Sequence, residues 1–493
     1  MINQLRVKQR DEYYSLEVES GSNLLDVLRR ENYFIETPCG GRGVCGKCRV
    51  TVNGQTALAC QTVIDRDMLV ELQNEEKTDI LMTGISVQGV LDGTHLYVMA
   101  FDIGTTTIVG YLMNGISGEL LTQVSSLNPQ KAYGADVISR IQYAITTDAE
   151  ELRKMICGTL LELLNEAAKS VKIKTDEIAL VSIVGNTAMH HLLLGIDVKS
   201  LITPPYMPKV YEAVELAMQK LFSEHTEGVV RILPNIAGFV GADTVGCLVA
   251  TRFDHLKKMT LLIDIGTNGE MVLGNWQRRI ACSTAAGPAF EGANIQCGMR
   301  GQKGAIDHVE VQDGKLVFHV IGGGVAKGFC GSGLLDLVAS LLQIGEIDGS
   351  GRLMNGKEYR LSDTDVYLTQ KDVREVQLAK AAIRAGIELL TKKIGISISK
   401  IEKVYLAGAF GNYMNPKSAC LIGMIPICLL DRIEGIGNAA GEGAKLCALS
   451  KTEYEYSKIL ASETEFLELA SLTEFQDVFV DSLKFTEEND EYL

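Results

Sequence analysis

The sequence contains no apolar run long enough to cross a bilayer, a single tryptophan, and only 9 prolines among its 493 residues. The missing apolar run predicts that no segment spans a membrane, and the N-terminus also lacks the apolar core of a secretion signal. The scarcity of proline, together with 46% hydrophobic residues, favours a globular α/β protein. A chain of this length predicts about three domains.

Positive charge is also scarce. The chain has 47 lysines and arginines against 62 aspartates and glutamates, which gives a net charge of −15. Because proteins bind phosphate backbones through basic surfaces, this balance argues against nucleic acid as a partner.

Paired cysteine spacing is missing from most of the chain. Eight cysteines are scattered in apolar or glycine-rich surroundings: Cys157, Cys247, Cys282, Cys297, Cys330, Cys420, Cys428 and Cys447. Such isolated cysteines are typical of reduced thiols in a protein core. They therefore predict a cytoplasmic location rather than an oxidising one.

The other four cysteines are concentrated in one short stretch. Cys39, Cys45 and Cys48 share a glycine-dense loop, and Cys60 follows shortly after it. Three thiolates converge on one small inorganic core only if the backbone between them doubles back tightly. We therefore predict close backbone approach or positive φ at the loop glycines Gly40, Gly41, Gly43 and Gly46, and a fourth ligand, Cys60, from a neighbouring strand.

This cysteine pattern resembles that of [2Fe–2S] ferredoxins, although the first gap holds five residues where the plant-type spacing has four. A structural zinc site is the main alternative, but zinc sites usually space their cysteines as two Cys-x2-Cys pairs. Thiols that bind no metal are a further alternative. Residues 1–75 alternate strands with one helix that starts after Ser22, an order that suits the β-grasp fold of ferredoxins.

Beyond residue 75 the pattern changes to apolar strands and long helices. Residues 76–97 resemble a connector, and the rest predicts an α/β plan. We expect helices at 134–143, 149–172, 187–194, 331–344, 371–394 and 416–422, and strands at 97–102, 178–184, 259–265 and 403–407. The acidic C-terminal segment is expected to add a helix and a final strand packed on the body, through Ile459, Leu460, Phe466, Leu467, Phe475, Val478 and Phe479.

Two segments of this body repeat one theme. Each is a buried strand that ends in Asp-Ile-Gly-Thr, at Asp102 and at Asp264. The aspartate can hold Mg²⁺ through water, and the turn after it offers donors to phosphate oxygens. The candidate phosphate-binding residues are Gly104, Thr105, Thr106, Thr107, Gly266, Thr267, Asn268 and Gly269. The duplication predicts two related halves, 98–255 and 256–493, that face one phosphate chain.

The paired segments resemble the phosphate-1 and phosphate-2 loops of the superfamily of actin, sugar kinases and heat-shock chaperone ATPases. Residues 404–412 resemble its adenosine motif, with Gly408, Ala409, Phe410, Gly411 and Asn412 under the nucleoside. The resemblance implies a duplicated actin-like fold that binds ATP and Mg²⁺, and 435–443 would extend the site.

Several polar residues between these motifs are candidates for the cleft. We take Asp102, Asp264, Glu270 and Asp243 as candidate catalytic residues, and Glu291 as a further cleft residue. His190 and His191 are weaker candidates, because helix histidines are often packed in the core. Helix capping and turn formation are the structural alternatives for all these loops.

A ferredoxin-like domain joined to such a body resembles the reductive activators of corrinoid-dependent enzymes. The resemblance implies that a reduced [2Fe–2S] cluster returns an oxidised Co(II) corrinoid to Co(I), with ATP binding or hydrolysis driving the step. It also implies two partners, the corrinoid protein of a methyltransferase system and an external low-potential electron donor, and it leaves a homodimer open. This chain departs from larger members because little room remains before residue 98 for their linker and middle domain.

Three other functions fit some of these motifs. An activator of 2-hydroxyacyl-CoA dehydratases is also an ATP-coupled electron donor, but such proteins bridge a [4Fe–4S] cluster between subunits. A small-molecule kinase with a regulatory cluster and a redox-sensing module that holds nucleotide without turnover are the remaining alternatives.

Overall fold

The computed structural model describes residues 2–9, 12–31, 33, 35, 37, 41, 43, 46–72, 89–134, 136–222 and 227–485. Within these ranges the chain forms one five-stranded sheet and two six-stranded sheets, together with three smaller ones. No helix in the described part of the chain has the length and apolarity needed to cross a membrane.

The N-terminal unit is a mixed sheet with one packed helix. Its elements are β1 (Ile2–Gln9), β2 (Glu12–Glu19), β3 (Ser22–Asn23), α1 (Leu24–Arg30), β4 (Arg49–Val52), β5 (Gln55–Leu58), β6 (Val63–Ile64) and β7 (Met68–Glu71). The large sheet has the order β2-β1-β7-β4-β5, with β1 and β7 parallel. Leu24, Leu25 and Leu28 of α1 lie in one buried cluster with β-strand residues such as Val7. This is the β-grasp arrangement that the sequence predicts.

The first half of the body follows. Its elements are β8 (Tyr97–Ile103), β9 (Thr107–Asn114), β10 (Leu120–Leu127), α2 (Val137–Tyr143), α3 (Ala149–Val171), β11 (Ile178–Gly185), α4 (Thr187–Leu194), β12 (Val214–Ala217), β13 (Val229–Ile232) and α5 (Ala242–Thr251). The sheet order is β10-β9-β8-β11-β13-β12, and β8, β11 and β13 are parallel.

The second half contains the remaining elements. They are β14 (Thr260–Ile265), β15 (Gly269–Gly274), β16 (Arg279–Thr284), β17 (Ala305–Gln312), β18 (Lys315–Val320), β19 (Gly328–Phe329), α6 (Gly331–Gln343), β20 (Glu358–Arg360), β21 (Tyr367–Thr369), α7 (Gln370–Ile394), β22 (Lys403–Ala407), α8 (Gly408–Tyr413), α9 (Pro416–Leu421), β23 (Ile433–Gly437), α10 (Ala439–Leu449), α11 (Lys451–Ser462), β24 (Thr464–Phe466) and α12 (Phe475–Asp481). The sheet order is β23-β22-β14-β15-β16-β24.

The two six-stranded sheets are built on the same plan. In each, an antiparallel set of three strands (β8-β9-β10 and β14-β15-β16) is followed by parallel strands on the other side of its first member (β11 and β13; β22 and β23). The predicted duplicated actin-like body is therefore confirmed.

Helices α5 and α10 pack between the two sheets and join the halves. Both belong to one buried cluster with Val98 of β8 and Leu262 of β14. The helices approach so closely that a Cβ added to Gly443 would lie 2.1 Å from the carbonyl oxygen of Gly246. Because any larger side chain would collide with that backbone, glycine is required at this crossing.

The predicted helices and strands agree with the observed ones apart from their ends. The helix predicted from Gly134 begins at Val137, because the Asp136 side chain accepts a hydrogen bond from Ser139 N at 2.8 Å and caps it. The predicted C-terminal helix and final strand are present as α11 and β24, and residues 475–481 add a further helix, α12. Phe475, Val478 and Phe479 have helical spacing, and that spacing favours a helix over a strand. Most of the predicted connector, 76–88, lies outside the described residues.

Candidate functional site

The two predicted phosphate loops are both tight turns between antiparallel strands. In the first, Gly104 N donates to Thr107 O at 2.9 Å, and in the second, Gly266 N donates to Asn268 O at 2.9 Å. Each turn follows a buried strand, β8 or β14, in which the aspartate precedes the last residue. The structure thus places the two Asp-Ile-Gly-Thr segments at equivalent positions in the two halves.

Four predicted carboxylates come together at this point, with Glu270 buried and Asp102, Asp243 and Asp264 half-buried. Burial is the main cause that raises the pKa of Asp102 and of Asp264 to about 7 and that of Asp243, in the first turn of α5, to about 6. Burial also raises the pKa of Glu270, which pairs with Asp264 across β14 and β15, well above its usual range. Repulsion by Asp243 raises the pKa values of Asp102, Asp264 and Glu270 further, so the four groups resist being ionised together.

A contact between the two halves reaches this cluster. Asn438 caps helix α10 and accepts from Gly441 N at 2.8 Å. Its Nδ2 donates to Asp102 Oδ2 at 2.8 Å and to the Tyr111 hydroxyl at 3.1 Å. The Asn438 side chain thereby joins the second half to the first phosphate strand. The sequence pointed to residues 435–443 but not to this contact.

The first phosphate loop is supported by polar side chains behind it. Asn128 Nδ2 donates to Gly104 O at 2.8 Å, and Asn186 Nδ2 donates to Thr105 Oγ1 at 3.0 Å. Arg140 is fully buried and donates from Nη2 to Thr105 O and from Nε to Gly134 O at 2.9 Å. Burial lowers the pKa of Arg140 to about 10, so it remains a cation at neutral pH. Asn186 also caps α4, where its Oδ1 accepts from Met189 N at 3.0 Å.

The second phosphate loop lies against the predicted adenosine segment. Gly408 follows β22 with a φ of +79°, and a Cβ added there would lie 2.5 Å from Asp264 Oδ1. The ring of Phe410 stacks on Phe290 with centroids 4.5 Å apart and planes 11° apart. Ala409 and Asn412 are exposed. The glycine is required here because a side chain would collide with the Asp264 carboxylate.

Glu291 links the two phosphate loops. Thr106 Oγ1 donates to Glu291 Oε2 at 2.7 Å, and Thr267 Oγ1 donates to Glu291 Oε1. One carboxylate therefore accepts a hydroxyl hydrogen bond from each half of the body. The sequence named Glu291 as a cleft residue without indicating its partners.

His190 and His191 make packing contacts. His191 Nδ1 lies 2.8 Å from Thr187 O, and its Nε2 accepts from Lys209 N at 3.1 Å. His190 Nδ1 lies 2.5 Å from Asn235 Nδ2, and burial lowers the pKa of His190 to about 4. Both rings are therefore neutral near pH 7, and His191 supports the segment in front of β12.

Part of the predicted iron–sulfur loop can be located. Cys48 Sγ and Cys60 Sγ are 3.2 Å apart, which is too far for a disulfide of about 2.05 Å and close enough for two ligands of one metal centre. Gly41, Gly43 and Gly46 have φ values of +93°, +76° and +65°, so the predicted positive φ is confirmed at all three. Cys39, Gly40 and Cys45 lie outside the described residues. The thiol pair and the tightly turned glycine loop fit an iron–sulfur cluster.

The N-terminal unit contacts the first half of the body through one short turn. Thr37 Oγ1 donates to Ala132 O at 2.8 Å, and Arg29 Nη2 donates to the same oxygen. The Arg29 guanidinium also lies 5.0 Å from the ring centroid of Tyr133. This turn, Pro129–Tyr133, begins at Asn128, which supports the first phosphate loop.

Three family models match consecutive parts of the chain. The 2Fe-2S iron-sulfur cluster binding domain matches residues 7–73, the RACo middle region matches 97–256, and the C-terminal domain of RACo, described as its ASKHA domain, matches 258–493. The expectation of little room for a middle domain is therefore wrong. The middle region begins with the strand of the first phosphate loop instead of preceding it.

Whole proteins are similar as well. The chain is 38% identical over 448 residues to the corrinoid activation enzyme RamQ of Eubacterium limosum, covering 84% of this chain and 75% of that protein. It is 27% identical over 395 residues to the [Co(II) methylated amine-specific corrinoid protein] reductase of Methanosarcina barkeri, covering 73% and 71%. A solved structure of a reductive activator for corrinoid,iron-sulfur protein aligns over 98% of both chains, with a TM-score of 0.71 and 28% identity. The chain therefore belongs to the family of reductive activators of corrinoid proteins.

Proposed function

We propose that this protein is an ATP-dependent reductive activator, which transfers one electron to a Co(II) corrinoid protein and restores its Co(I) state for methyl transfer. The observation that carries this proposal is the similarity to RamQ over 84% of this chain, together with the three family models that match from the cysteine-rich domain through the nucleotide-like body. An electron carrier alone could act without ATP, and a phosphate-binding cleft alone could belong to a kinase. Their union in one chain supports ATP-coupled electron transfer.

The proposed electron carrier is a [2Fe–2S] cluster held by Cys39, Cys45, Cys48 and Cys60. The short distance of 3.2 Å between the sulfurs of Cys48 and Cys60 supports the pairing of these two ligands. When bound, the cluster supplies one-electron transfer at low potential. The chain's own contribution would be the glycine loop, in which the positive φ values of Gly41, Gly43 and Gly46 allow the tight turn that such a cluster needs.

The proposed nucleotide site is the cleft between the two phosphate loops. Donors from 104–107 and 266–269 would bind the phosphates, and Gly408–Asn412 would lie under the nucleoside. Asp102, Asp243, Asp264 and Glu270 would hold Mg²⁺ through its water shell, since Mg²⁺ keeps several waters and prefers oxygen ligands. Repulsion by Asp243 on Asp102, Asp264 and Glu270 supports this assignment, because a bound cation would relieve it. Among the described residues no group of three or more His, Cys, Asp or Glu side chains is placed to ligate a metal directly, so the contact would run through the waters of the ion.

The energy of nucleotide binding is adequate for the reaction. For one electron, about 59 mV corresponds to roughly 1.4 kcal/mol, so an uphill transfer of about 100–200 mV requires roughly 2.4–4.7 kcal/mol. A nucleotide that binds one conformational state more tightly than another can supply this amount. We propose that ATP shifts the protein between states that differ in their affinity for the corrinoid partner.

The proposed domain limits are 1–75 for the cluster domain, 76–97 for the connector, and 98–255 and 256–493 for the two halves of the body. We place the protein in the cytoplasm, with an external low-potential donor that reduces the cluster. None of the ten cysteines that the structure describes forms a disulfide, which supports a reducing compartment.

Reduction of a corrinoid protein tests the proposal. The protein, purified without oxygen and given a strong chemical reductant, should convert a Co(II) corrinoid protein of a methyltransferase system to Co(I), followed by the absorption spectrum of the corrinoid. The extent should increase with Mg-ATP, and the purified protein should contain about two iron and two sulfide per chain. Cys48→Ser should bind nucleotide without supporting reduction. Stoichiometric zinc, or equal reduction with and without ATP, would contradict the proposal.

A further inference from the structure

The link that Glu291 forms between the phosphate loops suggests a role in nucleotide binding. Its two carboxylate oxygens accept hydrogen bonds from Thr106, on the first loop, and from Thr267, on the second. Both hydroxyls belong to the groups expected to bind phosphate. The carboxylate is therefore an anion in a position where two phosphate-binding donors already converge.

The backbone on both sides of Glu291 is confined, which keeps the side chain within reach of the two loops. Gly287 N donates to Thr267 O at 2.9 Å, which fastens the start of the turn 288–291 to the second loop. Gly292 has a φ of +76°, and a Cβ added there would lie 2.4 Å from Met299 O, so the end of the turn is equally confined. Phe290 is stacked on Phe410 of the adenosine segment. Glu291 is thus connected to both the phosphate and the nucleoside parts of the site.

The threonine hydroxyls cannot bind the Glu291 carboxylate and a phosphate together. A hydroxyl has a single proton, so Thr106 and Thr267 cannot donate to Glu291 and to a phosphate oxygen at the same time. The Glu291 carboxylate and a phosphate next to the same hydroxyls would also repel each other, because both are anions. Phosphate binding therefore requires Glu291 to move away from at least one of the hydroxyls.

We infer that Glu291 is a positioning residue that joins the two phosphate loops before nucleotide binds, and that the terminal phosphate of ATP displaces its carboxylate from Thr106 and Thr267. This inference rests on the nucleotide site proposed above. Displacement breaks one link between the halves of the body and replaces it with the nucleotide. The relation between the halves then depends on whether the terminal phosphate is present.

Substitution of Glu291 by glutamine tests the inference by the direction of its effect. Glutamine has the same shape but no charge, and only one of its terminal atoms is an acceptor. Because Glu291→Gln weakens the competitor, the dissociation constant for Mg-ATP should fall about tenfold in equilibrium titration. The change should be smaller for Mg-ADP, which lacks the terminal phosphate. The KM for ATP should fall in hydrolysis assays without an increase in kcat.

Three variants separate this role from a merely structural one. Thr267→Val removes a donor that phosphate also needs, so it should weaken ATP binding. Glu310→Gln removes a charge from an exposed position of β17 and should leave affinity unchanged. Glu291→Asp keeps the charge with a shorter reach, so its affinity should lie between those of the parent and Glu291→Gln. Circular dichroism melting verifies that each variant is folded.

The outcomes distinguish this inference from the proposed function. If Glu291 only shapes the loops, Glu291→Gln should bind ATP more weakly, as Thr267→Val does, and the inference is overturned. Equal affinity in the parent and Glu291→Gln overturns it as well. If the parent protein binds no nucleotide at all, the proposed function fails together with the inference.

Discussion

The two phosphate loops have nearly the same sequence and the same position in their sheets, but they are supported differently. The first rests on Asn128, Asn186 and the buried Arg140, and the turn that starts at Asn128 also contacts the N-terminal domain. The second rests on the adenosine segment, where Gly408 lies against Asp264. The duplicated halves have therefore diverged in what each loop is connected to.

This difference indicates a division of labour between the halves. The second loop is connected to the segment expected to bind the nucleoside, whereas the first is connected to the domain expected to hold the cluster. The two halves are then joined to each other by Asn438, which reaches Asp102, and by Glu291. A change at the phosphates can pass to the N-terminal domain through the first loop and its turn.

The largest expected effect comes from the aspartates that occupy equivalent positions in the two loops. Asp102→Asn and Asp264→Asn should each lower the rate of ATP hydrolysis by about 100-fold, because each removes a charge proposed to hold the hydrated Mg²⁺. Neither change should alter the visible spectrum of the cluster, which belongs to a separate domain. Parent rates in both variants would show that the loops do not act on Mg-ATP.

Much of this site could be predicted from the sequence, because the features involved are local. Asp-Ile-Gly-Thr after an apolar run predicts a buried strand and a turn, and this holds for both Asp102 and Asp264. The contact of Asn438 with Asp102 joins residues that are distant in the sequence, as does the bridge made by Glu291, and no local pattern specifies such partners. The same reason explains why Arg140 was not recognised, since its role depends on burial behind the first loop.

A smaller effect is expected from the support that only the first loop has. Arg140→Met should leave the carbonyl oxygens of Thr105 and Gly134 without their buried donor. Each unsatisfied oxygen should lower the free energy of unfolding by about 1–3 kcal/mol. We expect a lower melting temperature and about tenfold weaker binding of Mg-ATP, measured by calorimetric titration, because the loop loses its shape.

Arg153→Met provides a matched control for Arg140→Met. Arg153 lies on α3 in the same half, and its Nε donates to Leu193 O at 3.2 Å, outside the phosphate loops. Its loss should lower stability and leave nucleotide affinity unchanged. If the two variants weaken nucleotide binding equally, the effect is one of general stability and the two loops do not differ in the way described.

A still smaller effect is expected at the contact between the N-terminal domain and the turn 129–133, where electron transfer should change while nucleotide binding does not. Arg29→Ala removes a charged hydrogen bond to Ala132 O and the contact with the Tyr133 ring. The cluster spectrum and the rate of ATP hydrolysis should both remain, because neither site loses a ligand. The ATP-dependent rate of corrinoid reduction should fall about fivefold, since fewer molecules keep the domain docked.

The neighbouring Arg30 serves as the control for Arg29, because it lies on the same helix with its side chain exposed. Arg30→Ala should reduce the corrinoid protein at the parent rate. A parent rate for Arg29→Ala as well would mean that the contact at Ala132 does not connect the first loop to electron transfer.

The smallest expected effect concerns pH and stability. Burial raises the pKa of Asp264 to about 7, far above its value of about 4 in an unfolded chain. The folded protein then binds more protons than the unfolded chain between these two values, so this group's contribution to stability is largest below about pH 4 and is lost as the pH rises to about 7. Asp264→Asn removes this titration. Without nucleotide or Mg²⁺, the variant should therefore gain melting temperature relative to the parent as the pH rises.

Comparing melting temperatures of the parent and Asp264→Asn at about pH 5.5 and pH 8 measures this change, which we expect to be about two to four degrees. Added Mg-ADP should raise the melting temperature of the parent above that of the variant at the higher pH. The cation stabilises the charged aspartate of the parent, and the variant lacks that charge. Using the difference between the two proteins cancels the contributions of shifted groups that do not interact with Asp264, such as His190. A difference that does not depend on pH would show that the Asp264 carboxyl is already ionised in the free protein, and that repulsion at the second loop is relieved without a cation.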